Sequence, residues 1–222
     1  ATAISGVSIG DVDAASSNLT TRLQVTAGVL NITLSGSATI SAGTNGSADL
    51  TIQGTVTDIN ATLASLSYTG NANVVGTGAD TLSVTTNDGG NTGTGGAQQD
   101  VDTVQIDITP VNDTPVVNGP GGALSATEQV GLAIHGTGFT VTDVDAASGT
   151  MTATINVGEG AITVAAGDSG VSISGGNGSG TVTITGTLSQ IDNLLTGIST
   201  GTITYLNSSD TPSASTTITV TV

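Results

Sequence analysis

Asp11-Val12-Asp13-Ala14-Ala15-Ser16 recurs without change as Asp143-Val144-Asp145-Ala146-Ala147-Ser148, and this duplication decides how the chain folds. The offset of 132 residues from Asp11 to Asp143 is kept at further matched positions. These are Leu23 with Ile155, Val25 with Val157, Asn45-Gly46 with Asn177-Gly178, Gly54 with Gly186, and Ile59 with Ile191. Because self-similarity at a fixed period marks a repeated structural unit, the 222 residues are predicted to form two copies of one domain, 1–113 and 114–222.

Short runs of alternating apolar and polar residues predict β-strands in both copies. The Asn-Gly pair lies between two such runs, residues 38–40 and 50–52 in the first copy and 171–173 and 182–184 in the second. Asn-Gly favours a positive φ and therefore predicts a hairpin. The composition, rich in Gly, Ser, Thr, Val and Ala, favours two small all-β sandwich domains.

One short helix per domain is predicted where the β rhythm breaks. Residues at helical spacing follow a Thr or Asp cap in the first copy and Ser189 in the second. They are Ile59, Leu63 and Leu66 in the first copy and Ile191, Leu195 and Ile198 in the second. Each helix is expected to lie across an open end or edge of its sandwich.

The two copies are incomplete at opposite ends. After the helix, the first copy continues through predicted strands at 66–68, 81–85 and 104–108, whereas the second has only 203–205 and 217–222 and lacks the last strand. Residues 123–132 predict an opening strand of the second copy, and the first copy has no counterpart for it. Two explanations stay open: the segment belongs to a longer tandem array, or the missing edge strands come from neighbouring subunits.

The formal net charge of −16 arises from 17 acidic residues against the single Arg22. Such a surface repels nucleic-acid phosphates and anionic lipids, so neither is an expected partner, whereas divalent cations are. An acidic surface that only keeps a secreted protein soluble is the alternative. The chain contains no cysteine for disulfides, no apolar run long enough to span a membrane, and no signal peptide in its opening residues.

The stretch Val111-Asn112-Asp113-Thr114-Pro115 is predicted to be an interdomain linker with a calcium site. Its Asn and Asp side chains, and the alternate pair Asp143 and Asp145, offer the oxygen ligands that Ca²⁺ prefers. Calcium is therefore the expected cofactor, and a bound ion would stiffen domains that have a thin core and few aromatic residues.

These motifs, together with Leu66-Ser67-Tyr68 and Asn87-Asp88-Gly89-Gly90, resemble the cadherin-like tandem repeats of large secreted bacterial adhesins, a group that overlaps the VCBS and repeat-in-toxin adhesins. The resemblance covers nearly the whole chain and implies tandem Greek-key, cadherin- or immunoglobulin-like β-sandwiches. It implies a calcium-stiffened extender or structural rod at the bacterial cell surface, active in cell adhesion and biofilms, with neighbouring repeats as partners. The alternative is a subunit of an extracellular filament or surface layer assembled by strand exchange between identical subunits.

The resemblance also implies ligands. Asn112 and Asp113 match the linker ligands, Asp143 and Asp145 match the Asp-x-Asp pair, and Glu128 matches a glutamate that faces the far junction. The Asp-Arg-Glu motif of animal cadherins and the Gly-Gly-x-Gly-x-Asp repeat of toxins are both missing, which leaves the number of ions open.

Strand order predicts a second acidic group in the first copy. Alternate loops of an up-and-down sandwich share one pole, which places Asp11 and Asp13 near Asp88, Asp100 and Asp102. Carboxylates gathered at one pole are costly unless a cation lies between them. A plain turn at Asp88 and the polar face of an edge strand at Asp100 and Asp102 are the alternatives.

Catalysis is not expected. With no cysteine, no lysine and the single His135, nucleophile and base pairs are hard to assemble. Paired carboxylates that hydrolyse glycosides lie in clefts with sugar-stacking aromatics, and this chain has only Phe139, Tyr68 and Tyr205.

Overall fold

The computed structural model describes residues 1–90 and 94–222 and divides into two compact units, Ala1–Val111 (unit 1) and Asn112–Val222 (unit 2). This division falls two residues before the predicted boundary. Each unit consists of antiparallel strands with one short helix around its own apolar core, which confirms the predicted all-β sandwich class.

Unit 1 has a three-stranded sheet of order β1-β6-β3 and a five-stranded sheet of order β4-β5-β2-β7-β8. Strands that are not consecutive in sequence lie side by side, as in Greek-key connections. Its elements are β1 (Thr2–Ala3), β2 (Leu19–Gln24), β3 (Gly28–Asn31), β4 (Thr39–Gly43), β5 (Asp49–Gly54), α1 (Val56–Leu63), β6 (Ser67–Gly70), β7 (Gly76–Asn87) and β8 (Gln99–Ile108).

Unit 2 has sheets of order β10-β16-β13 and β14-β15-β12-β17 and a two-stranded β11-β9 pair. Its elements are β9 (Val116–Asn118), β10 (Leu132–Ala133), β11 (Thr140–Thr142), β12 (Thr150–Val157), β13 (Ala161–Ala165), β14 (Ser172–Gly175), β15 (Thr181–Thr187), α2 (Leu188–Thr196), β16 (Thr202–Leu206) and β17 (Ile218–Thr221).

The two units repeat one pattern of strand pairing. In unit 1, β2 pairs with β5 and β7, and Leu23 lies opposite Val84. In unit 2, β12 pairs with β15 and β17, and Ile155 lies opposite Val220. Because paired residues of antiparallel strands point to the same face, these side chains meet in the buried core of each sandwich.

The units differ at their edges. Strand β8 pairs with β7 in unit 1, whereas β17, the equivalent of β7, has β12 as its single partner strand in the described part of unit 2. Conversely, β9 pairs with β11 in unit 2. Residues 8–10 of unit 1, which are equivalent to β11, do not form a strand. The prediction of an opening strand at 123–132 is wrong, because Gly121 and Gly122 begin an irregular segment and Gln129 adopts a positive φ of 61°. The opening strand is β9, which lies earlier.

Both predicted helices exist, but each begins and ends earlier than predicted. Thr55 caps α1 by accepting the Asp58 N–H, and Thr187 caps α2 in a capping box with Gln190. Gly197, in the left-handed conformation, ends α2, so Ile198 lies beyond the helix and is exposed.

The Asn-Gly pairs lie in the predicted hairpins, with Gly46 and Gly178 both at φ 80°. Their asparagines have a further role that the pattern did not predict. The Asn45 side chain accepts the Ile32 N–H (2.9 Å) and donates to the Ile32 carbonyl (2.9 Å). Asn177 makes the same two bonds to Val164. Each hairpin loop is thereby joined to the chain at the end of β3 or within β13.

Candidate functional site

The most heavily bonded ionisable group in the described structure is Asp80 in β7, with 2% of its surface exposed. Its carboxylate accepts N–H groups of Thr26 (2.9 Å), Ala27 (2.8 Å) and Thr81 (2.8 Å) and the Thr26 hydroxyl (2.9 Å). The Tyr68 hydroxyl lies 2.9 Å from Asp80 Oδ2 and 3.0 Å from the Ala27 carbonyl. These contacts, here called the carboxylate clamp, tie the β2–β3 turn to β6 and β7.

The clamp shifts the pKa of both ionisable partners. Burial by itself raises the pKa of Asp80, but the donated hydrogen bonds more than offset burial and lower it from 3.8 to about 2. Burial and, to a smaller extent, the hydrogen bond to Asp80 raise the pKa of Tyr68 to about 12. Near neutral pH the clamp therefore joins a carboxylate to a neutral phenol.

We expect the stability of unit 1 to fall as the pH drops from about 4 towards 2. Because the pKa of Asp80 is lower in the folded chain than in the unfolded chain, its carboxylate stabilises the fold fully at pH values above the unfolded pKa of 3.8. This stabilisation is lost as the pH falls through the folded pKa of about 2. The loss should be roughly 2 kcal/mol, from about 1.4 kcal/mol per pKa unit. Urea unfolding followed by NMR at several pH values measures it as the difference between the natural chain and Asp80→Asn. An unchanged difference across this range would contradict it.

Unit 2 replaces the clamp with weaker contacts. By register, Thr216 takes the place of Asp80, and its hydroxyl accepts the Glu159 N–H at 3.0 Å. The Glu159 carboxylate accepts from Asn207 Nδ2 (2.9 Å) and from the Ser213 N–H (3.1 Å), which lowers its pKa. Glu159 is only partly buried, whereas Asp80 is buried, so the two units are not equivalent here.

The duplicated Asp-x-Asp motif forms a turn in both units. Asp11 Oδ1 accepts the N–H groups of Asp13 (3.1 Å) and Ala14 (3.0 Å), and Asp143 Oδ1 accepts the Asp145 N–H (3.2 Å). The backbone hydrogen bond from Asp13 is the main cause that lowers the pKa of Asp11. The duplication therefore has a structural role in the turn, whether or not an ion binds.

The predicted linker ligands lie within unit 2. The Asp113 N–H donates to Asp145 Oδ2 (3.0 Å), so the linker and the Asp-x-Asp turn meet. Asn112 directs its amide to the Asp113 carbonyl (2.9 Å), and Glu128 lines a separate cavity of about 600 Å³.

The second acidic group lines one cavity of unit 1, with a volume of about 1070 Å³. Asp11, Asp13, Asp88, Asp100 and Asp102 all contribute to its wall. Asp88 Oδ1 also accepts the N–H groups of Gly90 and Gln98 and so closes the β7–β8 turn. Across residues 1–90 and 94–222, no three Asp, Glu, His or Cys side chains are gathered closely enough to hold a metal ion.

Two other charged or titratable groups have structural contacts. Arg22, on the central strand β2, donates its Nε to Asp49 Oδ1 (2.8 Å) and forms an ion pair with that carboxylate. His135 Nδ1 lies 3.1 Å from both the N–H and the carbonyl of Ile203 in β16.

Sequence reasoning missed the carboxylate clamp. The available signal was an acidic residue inside a strand, at Asp80, and one of the chain's few aromatic residues, Tyr68. Neither position identified the other, because the two residues lie on different sheets and meet only where these sheets pack together.

The fold and its contacts define an all-β, tandem-sandwich protein. The model of one protein family, described as the Protein GAMETE EXPRESSED 2 domain, matches residues 12–94. No curated protein and no solved structure matches.

This match contradicts the resemblance to bacterial cadherin-like, VCBS and repeat-in-toxin adhesins, because the family is one of eukaryotic gamete proteins. The expected role as a calcium-stiffened extender of a bacterial adhesin, its filament alternative and the biofilm association are wrong on the same finding. The motifs misled because the Asp-x-Asp stretches also serve as turns, in which a carboxylate accepts backbone N–H groups.

The coarser part of the predicted location holds: the match agrees with an extracellular protein, and it does not support a bacterial surface. In the described residues no helix has the length and apolar character needed to cross a lipid bilayer.

Proposed function

We propose that the chain is a non-catalytic, extracellular interaction module that binds other proteins through open sheet edges, at a cell surface. The observation that carries this proposal is the outer edge of β4 in unit 1 and of β14 in unit 2. Within the described residues β4 pairs only with β5 and β14 only with β15, and most residues of both strands are exposed. An exposed strand edge offers unpaired N–H and C=O groups to an added strand.

The rest of each sandwich supports this assignment. Among the described residues every buried side-chain N or O atom has a hydrogen-bond partner, so no buried polar side-chain atom is left to bind a substrate. The chain supplies no cysteine or lysine, and its one histidine is bonded to β16, which argues for binding rather than catalysis. Further repeats and identical subunits stay among the proposed partners, whereas the charge of −16 disfavours nucleic acid and membranes.

A random-peptide display selection on the full chain tests the proposal. We expect selected peptides to be extended, poor in central proline, and to protect edge amides of the sheets from hydrogen exchange. Peptides that protect no edge amide, or that bind equally to heat-unfolded chain, would contradict it.

We also propose that Ca²⁺ binds where the linker meets the Asp-x-Asp turn, by drawing the carboxylates of Asp113, Asp143 and Asp145 closer together than they lie in the described structure. The Asp113 N–H contact with Asp145 supports this proposal because it brings the linker to the Asp-x-Asp turn. The side chains offer hard oxygen donors of the kind that Ca²⁺ binds, and a bound ion would offset local negative charge.

A chelator is expected to lower the melting temperature of unit 2 relative to calcium buffer. In the variant that combines Asp143→Ala with Asp145→Ala, part of that response should be lost, because two carboxylate ligands of the ion are removed. Calorimetry with and without calcium measures the response, and Asp100→Ala combined with Asp102→Ala in unit 1 is the matched control. Identical melts under all conditions would eliminate the ion from the proposal.

A further inference from the structure

Besides the two hairpin pairs, Asn45-Gly46 and Asn177-Gly178, the chain contains a third Asn-Gly pair, Asn118-Gly119, at the end of β9. An asparagine that precedes glycine can modify itself, because the glycine nitrogen, which has no side chain beside it, can attack the asparagine side chain. The hydrogen bonds and exposure of each pair therefore decide where this reaction occurs.

In the hairpin of unit 1, both groups that would react are hydrogen-bonded. The Asn45 amide is bonded through its oxygen and through its nitrogen to Ile32. The Gly46 N–H donates to the Leu30 carbonyl at 2.9 Å. Both the side chain under attack and the attacking nitrogen are thus held in place.

The hairpin of unit 2 repeats this protection. The Asn177 amide bonds to the N–H and the carbonyl of Val164, and the Gly178 N–H donates to the Ile162 carbonyl at 2.8 Å. In each hairpin three hydrogen bonds must therefore break before the glycine nitrogen can reach the side chain.

The third pair, Asn118-Gly119, lacks these bonds, and both of its residues are exposed. The Asn118 side chain makes one long contact, from Nδ2 to the Thr140 hydroxyl at 3.5 Å, against a usual distance of about 2.9 Å. Within residues 1–90 and 94–222, the Gly119 N–H donates to no acceptor. The carbon and the nitrogen that would react are therefore both open to water.

Strand pairing is what holds the backbone of Asn118. Asn118 lies opposite Thr140, and because the neighbouring Val141 N–H donates to Asp192, the ladder hydrogen bonds fall on the Asn118–Thr140 pair. An extended backbone keeps the Gly119 nitrogen away from the side chain, so the reaction needs the end of β9 to separate from β11. Since β9 has only three residues, its end opens more readily than either hairpin.

We propose that Asn118 is a site of spontaneous deamidation, and that this modification releases the end of β9 from β11. The Gly119 nitrogen attacks Cγ of Asn118, and the new N–C bond closes a succinimide ring as the Cγ–Nδ2 bond breaks. The proton of the Gly119 nitrogen passes through water to the departing ammonia. A water molecule then opens the ring at either carbonyl and leaves aspartate or isoaspartate.

The isoaspartate product changes the strand itself. Its main chain runs through Cβ, so the backbone becomes longer and its former carbonyl becomes a carboxylate. The carbonyl that follows is then out of register with Thr140, and the pair at the end of β9 is lost. Val117, which packs against the core of unit 2, is left as the main attachment of β9.

The first test keeps the full chain at mildly alkaline pH and follows deamidation of its peptides by mass spectrometry. We expect Asn118 to react at least about tenfold faster than Asn45 or Asn177, because fewer hydrogen bonds must break. In urea that unfolds both units, the three sites should react at similar rates, because each asparagine precedes glycine. Equal rates in the folded chain, or faster reaction in a hairpin, would overturn the proposal.

Gly119→Ala is the matched variant for the attacking nitrogen. A Cβ at Gly119 meets only the Phe139 ring, at an ordinary contact distance of 3.5 Å, so the fold should be kept. The added methyl group hinders attack, and deamidation at Asn118 should slow severalfold while Asn45 and Asn177 keep their rates. An unchanged rate at Asn118 would overturn attack by this nitrogen.

Hydrogen exchange tests the structural consequence. The Thr140 amide should exchange faster in the isoaspartate form, purified from the aged chain, than in the fresh chain. Asn118→Asp carries the same added charge on a normal backbone and is the control, in which Thr140 should stay protected. Equal protection of Thr140 in the isoaspartate form and in Asn118→Asp would overturn the release of β9.

Discussion

Asp80→Asn is expected to lower the free energy of unfolding of unit 1 by about 3 kcal/mol, because charge-assisted hydrogen bonds are lost inside the sandwich. The natural carboxylate accepts from three backbone N–H groups and two hydroxyls. The asparagine amide has one acceptor oxygen, and its NH₂ group would face donors. At least one buried donor is therefore left without a partner.

Chemical unfolding followed by NMR, which reports on the two units separately, measures this loss. Tyr68→Phe removes a single donor from the clamp and should cost about 1 kcal/mol. Thr216→Val in unit 2 is the matched control, because its hydroxyl accepts the Glu159 N–H where the carboxylate of Asp80 accepts the Ala27 N–H. If Asp80→Asn cost no more than Tyr68→Phe, the carboxylate would not be the centre of the clamp.

Gly176→Ala is expected to destabilise unit 2 by about 3 kcal/mol, from left-handed strain together with overpacking. Gly176 has φ 73°, and a Cβ there would stand 1.9 Å from the Thr181 carbonyl oxygen. Since the obstacle is backbone, the β14–β15 hairpin would have to shift.

Gly178→Ala in the same hairpin is the matched control. It has a similar φ of 80°, but a Cβ at this position meets nothing within 4 Å. Only the conformational strain remains, and the expected loss is about 1 kcal/mol. Urea midpoints of unit 2 compare the two variants, and equal losses would show that the close approach to Thr181 is readily relieved.

Much of the fold was predictable because its signals are local or periodic. The matched pairs Leu23 with Ile155 and Ile59 with Ile191 occupy equivalent buried positions, and both helices follow threonine caps. Helix ends were misplaced because Thr55 and Thr187 cap the helices two or three residues before the caps that the apolar spacing suggested.

The sites were harder to predict because they depend on contacts between distant strands. Asp80 meets Thr26 across 54 positions, and no pattern in the chain connects them. The parity of strands did place Asp11 and Asp100 at one cavity, but it gave no measure of how closely carboxylates approach. Family assignment failed for a different reason, since it was based on short turn and linker motifs and the family match contradicts it.

The position of Arg22 in the central strand β2 affects how readily proteases cut the protein. Proteases of the trypsin type cut after lysine or arginine, and this chain offers them one such bond. That bond lies in β2, between β5 and β7, where the backbone is hydrogen-bonded on both sides and cannot enter a protease cleft as an extended strand. Digestion by these enzymes must wait for unit 1 to open.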